Sequence, residues 1–320
     1  MKIAFFGTPE FASDILRGLL GYQDIEVVLV VSQPDKAVGR KRELVATPVK
    51  QVALNAGIGV LQPESLKRDQ SLETILKRFN LDFIVVVAYG KIIPKSILEI
   101  PKYGCINLHG SILPKYRGAS PVQAALRDGL SETGLTTMFM SERMDEGDIL
   151  EIAKIKVDTV DKSPDIFQKF TRIGPELLRS TLLKVYDSEL SGTPQNHAEA
   201  MYCGKISKED GEVSFTKQGA EEIYNFYRAY TPWPGIFTFY EGKRLVIEGC
   251  CFDVIGDFER EYDGDIIIGS FIRINKKFFG IICADKKFLV ITQVKPEGKK
   301  SMDIESFING NKKVLEYIFD

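Results

Sequence analysis

The chain has little histidine: two residues in 320, His109 and His197. A histidine-rich metal site is thereby excluded, and no H-E-x-x-H occurs. Cysteine is scarce and odd in number, with Cys105, Cys203, Cys250, Cys251 and Cys283 and no C-x-x-C pair. A disulfide framework or a zinc ribbon is unsupported by that pattern. Neither G-x-G-x-x-G nor G-x-x-x-x-G-K-[ST] is present, so dinucleotide and nucleoside-triphosphate binding lose their main sequence support. No apolar run approaches the ~20 residues of a membrane helix, and the amino terminus lacks the cleavage pattern of a signal peptide. These absences lead us to expect a reduced, soluble, cytoplasmic protein. Net charge is small, at -2. Any contact with RNA must therefore come from local basic patches.

What is present is an ordinary globular composition, 44% hydrophobic over 320 residues, enough for two cores. Residues 2–7 read as a buried strand ending at a glycine, after which Thr8-Pro9 is placed to cap and open a helix. Residues 25–32, 82–89, 105–109 and 134–140 read as further strands, and 163–190 as a long helical stretch. Residues 34–47 (PDKAVGRKRELVAT) read as a polar, basic loop, with a helix from about Pro48. Strands alternating with helices imply an α/β domain with a mostly parallel sheet, whose ligands bind beyond the carboxyl ends of the strands. Residues 191–204 suit a linker. Beyond them lie a helix near 217–229 and short strand-like runs at 243–254, 264–275, 277–284 and 286–294, the pattern of a small β-barrel.

The chemistry concentrates in N-L-H-G-S-I-L-P. Asn107 and His109 are two apart, so on a strand both project to one face. A carboxamide and an imidazole there can hold a carbonyl oxygen: asparagine donates to a developing oxyanion, and histidine donates or moves a proton. Alone, an Asn-x-His pair is more often a turn cap and a satisfied core histidine. Downstream, R-M-D-E-G-D-I-L offers three acids, Asp145, Glu146 and Asp148. One carboxylate beside the imidazole would fix its tautomer and stabilise its charged form, but spacing does not choose among them. Gly39-Arg40-Lys41-Arg42 is a short basic cluster able to meet phosphates, though taken alone such a cluster is more often a solvated charge run. The single tryptophan, in Y-T-P-W-P-G (230–235), reads as a packing anchor between domains.

At this point the motifs resemble those of methionyl-tRNA formyltransferases along nearly the whole chain. The carrying segments are FGTPEFA (6–12), SQPDKAVGRKREL (32–44), TPVK (47–50), INLHGSILPKYRGASPVQAAL (106–126), MDEGDIL (144–150), KISKED (205–210), YTPWPG (230–235), QVKPEGKKSM (293–302) and FING (307–310). The central segment is shared by folate-dependent formyltransferases generally; the basic loop, KISKED and the terminal block are more specific to enzymes acting on tRNA. The resemblance implies a Rossmann-like formyltransferase domain over 1–190, a linker over 191–206 and an OB-like β-barrel domain over 207–320. It implies catalysis by Asn107, His109 and Asp145, folate contact through Ser111, Ile112, Leu113 and Pro114, and tRNA contact around Arg40, Lys41 and Arg42.

The implied reaction moves the formyl group of 10-formyltetrahydrofolate to the α-amino group of initiator methionyl-tRNA, without a metal and in a monomer. Two features depart from the family. Ser141-Glu142-Arg143 stands where members often carry Asp-x-Gly, and the carboxyl-terminal region is near charge balance rather than basic, which shifts weight to Lys299 and Lys300. Other readings of the same residues are a sugar-nucleotide N-formyltransferase, a formyltetrahydrofolate hydrolase and a non-catalytic RNA-binding module.

Overall fold

A computed structural model describes residues 1–38, 43–67, 70–252, 262 and 264–320. The chain forms two compact units. The first comprises 1–121, 132–157 and 167–204; the second comprises 122–131, 158–166 and 205–320.

The first unit is built on a seven-stranded sheet. Its parallel part comprises β1 (Lys2–Gly7), β2 (Glu26–Val31), β5 (Val60–Leu61), β6 (Phe83–Val87) and β7 (Cys105–His109). Between β2 and β5 lie two short strands, β3 (Lys36–Val38) and β4 (Glu43–Val45), which pair only with each other. The sheet order is β10-β9-β7-β6-β1-β2-β5, with β9 (Glu132–Phe139) and β10 (Ile149–Lys156) antiparallel at one edge. β6 is FIVVV with every residue buried, as a strand covered on both faces requires. From β1 the chain runs outward to β2 and β5, then resumes on the other side at β6. The strand order therefore reverses beside β1, where such sheets leave a crevice at the carboxyl ends.

Helix α1 (Glu10–Leu19) buries Ala12, Ile15, Leu16 and Leu19, a spacing that puts one stripe on the sheet. Thr8 does not cap it. Pro9 holds the cap position, and the Thr8 hydroxyl donates to the Tyr89 carbonyl at 3.2 Å. Helix α2 (Pro48–Asn55) is capped by Thr47, which accepts from the Lys50 amide, with proline at the first turn as expected. Two more helices, α3 (Gln70–Arg78) and α4 (Lys95–Leu98), flank β6 in sequence, and α5 (Pro121–Arg127) precedes β9. Helix α6 (Ser163–Tyr186) is the long helical stretch. Residues 191–204 are not a free linker. There β11 (Tyr202–Cys203) pairs in parallel with β8 (Arg117–Gly118), inside the first unit.

The second unit carries α7 (Ala220–Tyr230) and an antiparallel sheet. Its strands are β12 (Ile236–Tyr240), β13 (Lys243–Phe252), β14 (Phe271–Arg273), β15 (Phe279–Ile282), β16 (Phe288–Pro296) and β17 (Met302–Asp303), followed by α8 (Ile304–Gly310). β12 escaped the sequence reading because its run, IFTFY, follows directly on the proline-rich turn. Register shifts on either side of Gly249 interrupt the β13–β16 ladder, and such bulges bend a sheet. The expected small barrel is realised as a curled, half-closed sheet. Segment 158–166 belongs to this unit because Arg228, itself buried, donates to the carbonyls of Asp158 and Asp161 at 3.2 and 3.3 Å.

Candidate active site

Strand β7 runs between β6 and β9 and delivers Asn107 and His109 to the carboxyl end of the sheet. Ile106 and Leu108, which alternate with them, are buried on the other face. Asn107 lies opposite Met138 and His109 opposite Thr136. His109 is itself buried. Its Nε2 is 2.9 Å from the Tyr116 carbonyl. A carbonyl only accepts, so Nε2 carries a proton and donates it there. Nδ1 is left facing Asp145, with Oδ2 at 3.7 Å. This corrects one expectation. The tautomer is set by the Tyr116 carbonyl, and the carboxylate instead faces the nitrogen that can gain a proton.

The geometry separates the three acids. Glu146 faces two guanidinium groups, Arg117 at 3.6 Å and Arg143 at 3.5 Å. The main-chain carbonyl of Asp148 accepts from the Phe139 amide at 2.9 Å, extending the β9–β10 ladder. Asp145 alone pairs with His109 among the described residues. It sits in a turn with φ +54°, a conformation that an L-residue keeps only when its surroundings hold it there. Its Oδ2 accepts from the Gly118 amide at 2.8 Å. Behind it, a Cβ on Gly147 would come within 1.8 Å of the Phe139 carbonyl, so the turn presses directly on the end of β9.

Three consecutive residues therefore organise the pair. Tyr116 gives its carbonyl to His109, Gly118 gives its amide to Asp145, and Arg117 between them is 0% exposed. The Arg117 guanidinium donates to Gln195 Oε1 from Nε and Nη2 at 3.0 and 2.7 Å, and to the Tyr202 hydroxyl at 3.1 Å. The sequence reading missed Arg117, Gln195 and Tyr202. Arg117 lies 78 and 85 residues before the other two, and no local motif joins it to them.

Of the four residues expected to meet folate, the structure buries two. The Ser111 hydroxyl is spent on the Lys115 carbonyl at 2.6 Å, and Leu113 is part of the core. Thr136 ties this turn down: its hydroxyl donates to the Ser111 carbonyl at 2.6 Å and accepts from the Leu113 amide at 3.2 Å. Ile112 and Pro114 remain half-buried, and the Leu113–Pro114 peptide is cis. The Asn107 carboxamide, also half-buried, makes no hydrogen bond among the described residues. Tyr89, at the end of β6, is buried with its hydroxyl unpartnered among the described residues, and burial pushes that hydroxyl up to about 12. No three His, Cys, Asp or Glu side chains among the described residues converge as metal ligands.

Arg40, Lys41 and Arg42 lie outside the described residues. The segment around them is not the plain loop the sequence suggested. β3 and β4 pair antiparallel, Lys36 with Val45 and Val38 with Glu43, and Leu44 is 76% exposed. A polar ring holds the base of this hairpin: Lys50 reaches Asp35 and Gln62 at 2.6 and 2.7 Å, and Gln62 also donates to Asp35 at 2.6 Å. In the second unit, Trp233 is 53% exposed. Lys299 and Lys300 are exposed. No helix among the described residues is long and apolar enough to cross a membrane.

Two family models match successive parts of the chain. Residues 1–182 match the formyl transferase family and residues 205–312 the formyl transferase carboxyl-terminal domain. A methionyl-tRNA formyltransferase of Caldicellulosiruptor saccharolyticus is 41% identical, over 98% of this chain and 97% of its own. One from Lachnospira eligens is 40% identical over 97% of both. Among solved structures, an N-formyltransferase from Helicobacter canadensis, in complex with folinic acid and dTDP-3-aminofucose, superposes with a TM-score of 0.64 at 18% identity, covering 91% of this chain and 98% of its own. HypX from Aquifex aeolicus, in complex with tetrahydrofolic acid, gives 0.64 at 16% identity, covering 99% of this chain and 48% of that one. At such identities the likeness is one of fold.

Proposed function

Because the chain belongs to the methionyl-tRNA formyltransferase family, we propose that it moves the formyl group of 10-formyltetrahydrofolate to the α-amino group of initiator methionyl-tRNA, acting as a cytoplasmic monomer. The donor brings a carbonyl carbon already activated for attack by an amine. Asn107 donates to the formyl oxygen as negative charge builds on it. His109 accepts the proton released by the attacking amine at Nδ1, since Nε2–H is held by Tyr116, and returns it to the folate N10 as the tetrahedral intermediate collapses and the formyl C–N10 bond breaks. Asp145, 3.7 Å from that nitrogen, stabilises the imidazolium. Ile112 and Pro114 are the folate-contacting members of their turn, with Ser111 and Leu113 holding it from behind.

The observation that carries this reading is a carboxamide with no hydrogen-bond partner among the described residues, one strand repeat from a histidine whose Nδ1 faces a carboxylate. The Arg40-Lys41-Arg42 cluster is the feature that a sugar-nucleotide acceptor leaves without a role. The deciding assay supplies 10-formyltetrahydrofolate with charged initiator tRNA, a sugar-nucleotide amine or water as acceptor. Formylation of the tRNA alone is expected; transfer to the sugar amine alone overturns the assignment. His109→Ala is expected to abolish transfer with the fold intact.

A further inference from the structure

Asp145 is gripped from two sides, and only one grip touches its carboxylate. The Gly118 amide holds Oδ2. The other grip is on the main chain: Gln195 Nε2 donates to the carbonyls of Asp145 and Gly147 at 2.9 and 2.7 Å. Gln195 is 5% exposed, and its remaining polar atom, Oε1, accepts from two nitrogens of the buried Arg117. This arrangement admits one orientation of the carboxamide. Turned over, it would set an NH2 against a guanidinium and an oxygen against two carbonyls. Gln195 thus spans the turn that gives Asp145 its φ of +54° and ties it to the segment that holds both catalytic groups.

We propose that Gln195, oriented by Arg117, is a positioning residue for Asp145: it holds the turn so that the carboxylate faces His109 Nδ1, and it acts on turnover rather than on the binding of either substrate. The proposal rests on the reading of Asp145 and His109 as the proton-handling pair. It assigns a role in the reaction to residues 191–204, which the sequence presents as a linker. Gln195 touches no reacting atom. Its effect must pass through the turn, where a displacement of about 1 Å can cost roughly 100-fold in rate.

The test is a double-substitution cycle. Gln195→Glu keeps an acceptor for Arg117 but loses both donations to the turn; Gln195→Ala loses everything; Asp145→Asn removes the group being positioned. Single-turnover rates at saturating folate and tRNA are expected to fall by about 10- to 100-fold for either Gln195 variant, with KM for both substrates within about twofold and an altered pH profile of kcat. In the Asp145→Asn background, Gln195→Ala is expected to change the rate little further, because its only target is gone. An equal loss in both backgrounds, or none in the otherwise unaltered enzyme, overturns the proposal. So does a variant that lowers the thermal midpoint while leaving kcat and its pH profile unchanged, which would mark Gln195 as merely structural. If Asp145→Asn alone keeps full activity, the proton-handling assignment itself falls and this proposal with it. The two failures are thereby distinguished.

Discussion

Replacing Gly118 by alanine sets a methyl carbon 2.1 Å from the Cys203 carbonyl oxygen, at a residue whose φ is +120°. Contacts of that kind begin near 3.0 Å, so β11 must retreat from β8 by roughly 1 Å. Two main-chain hydrogen bonds cross that gap, Arg117 to Met201 at 2.8 Å and Ala119 to Cys203 at 3.1 Å. Losing them costs about 1 kcal/mol each, and forcing a β-carbon into this φ region adds roughly 1–3 kcal/mol. The total, about 3–5 kcal/mol, is a large share of the ~5–15 kcal/mol that stabilises a domain. At about 2–4 °C per kcal/mol, the thermal midpoint should drop by roughly 6–20 °C. If β8 gives way instead and the midpoint falls less, Gly118 carries its amide away from Asp145, and turnover should fall by around 100-fold. Circular dichroism melting and a formyl-transfer assay well below the transition read both quantities. A midpoint within about 2 °C of the parent, together with normal turnover, would refute the reasoning.

Thr136→Val should cost roughly 2–4 kcal/mol in urea unfolding, because it leaves the Ser111 carbonyl and the Leu113 amide unpaired in a buried site; Thr136→Ser should restore most of it, and a neutral Thr136→Val would contradict the role given to this hydroxyl. Burial raises the Glu151 carboxyl, but hydrogen bonds from Lys184, Thr181 and Ser180 outweigh it and hold the group below its usual 4.5. The depressed value adds stability that is complete above the ordinary glutamate range and is lost as pH falls through the lowered pKa. Glu151→Gln should accordingly flatten the acid limb of a melting-point-against-pH curve, and an unchanged limb would place the acid sensitivity elsewhere. Neutralising Arg40, Lys41 and Arg42 together should weaken tRNA binding and reduce its salt slope by about 2–3; unchanged affinity would mean that this cluster does not meet phosphate.

Which parts of the fold are legible in the sequence depends on how local their cause is. β1, β2 and β6 are near-continuous apolar runs of strand length, and each appears within a residue or two of its expected span. A strand buried on both faces has no other way to be written. Three segments were harder to read for three different reasons. β10 alternates half-buried and exposed residues at the sheet edge, and its charged positions hide it. The β3–β4 ladder is too short and too polar to show periodicity, with Leu44 turned outward. Residues 191–204 have the composition of a linker because their role is carried by single polar side chains, not by an apolar face.

The same distinction governs the site. Asn107 and His109 share a strand, so the two-residue period of that strand brings them together, and a motif of a few residues suffices to find them. Asp145 is different. Spacing left it level with Glu146 and Asp148, and what singles it out is a left-handed turn whose geometry depends on residues distant in sequence. The amide that holds its carboxylate comes from 27 positions earlier and the carboxamide that holds its backbone from 50 positions later. The His109 tautomer follows the same logic, since the Tyr116 carbonyl carries no side-chain signature at all. A strand-borne pair is thus written in the local code. The placement of the carboxylate that faces the pair depends instead on the closure of β8 on β11, and under the proposed function substitutions at Gly118, Arg117 or Gln195 should therefore act on turnover although no local motif would associate them with it.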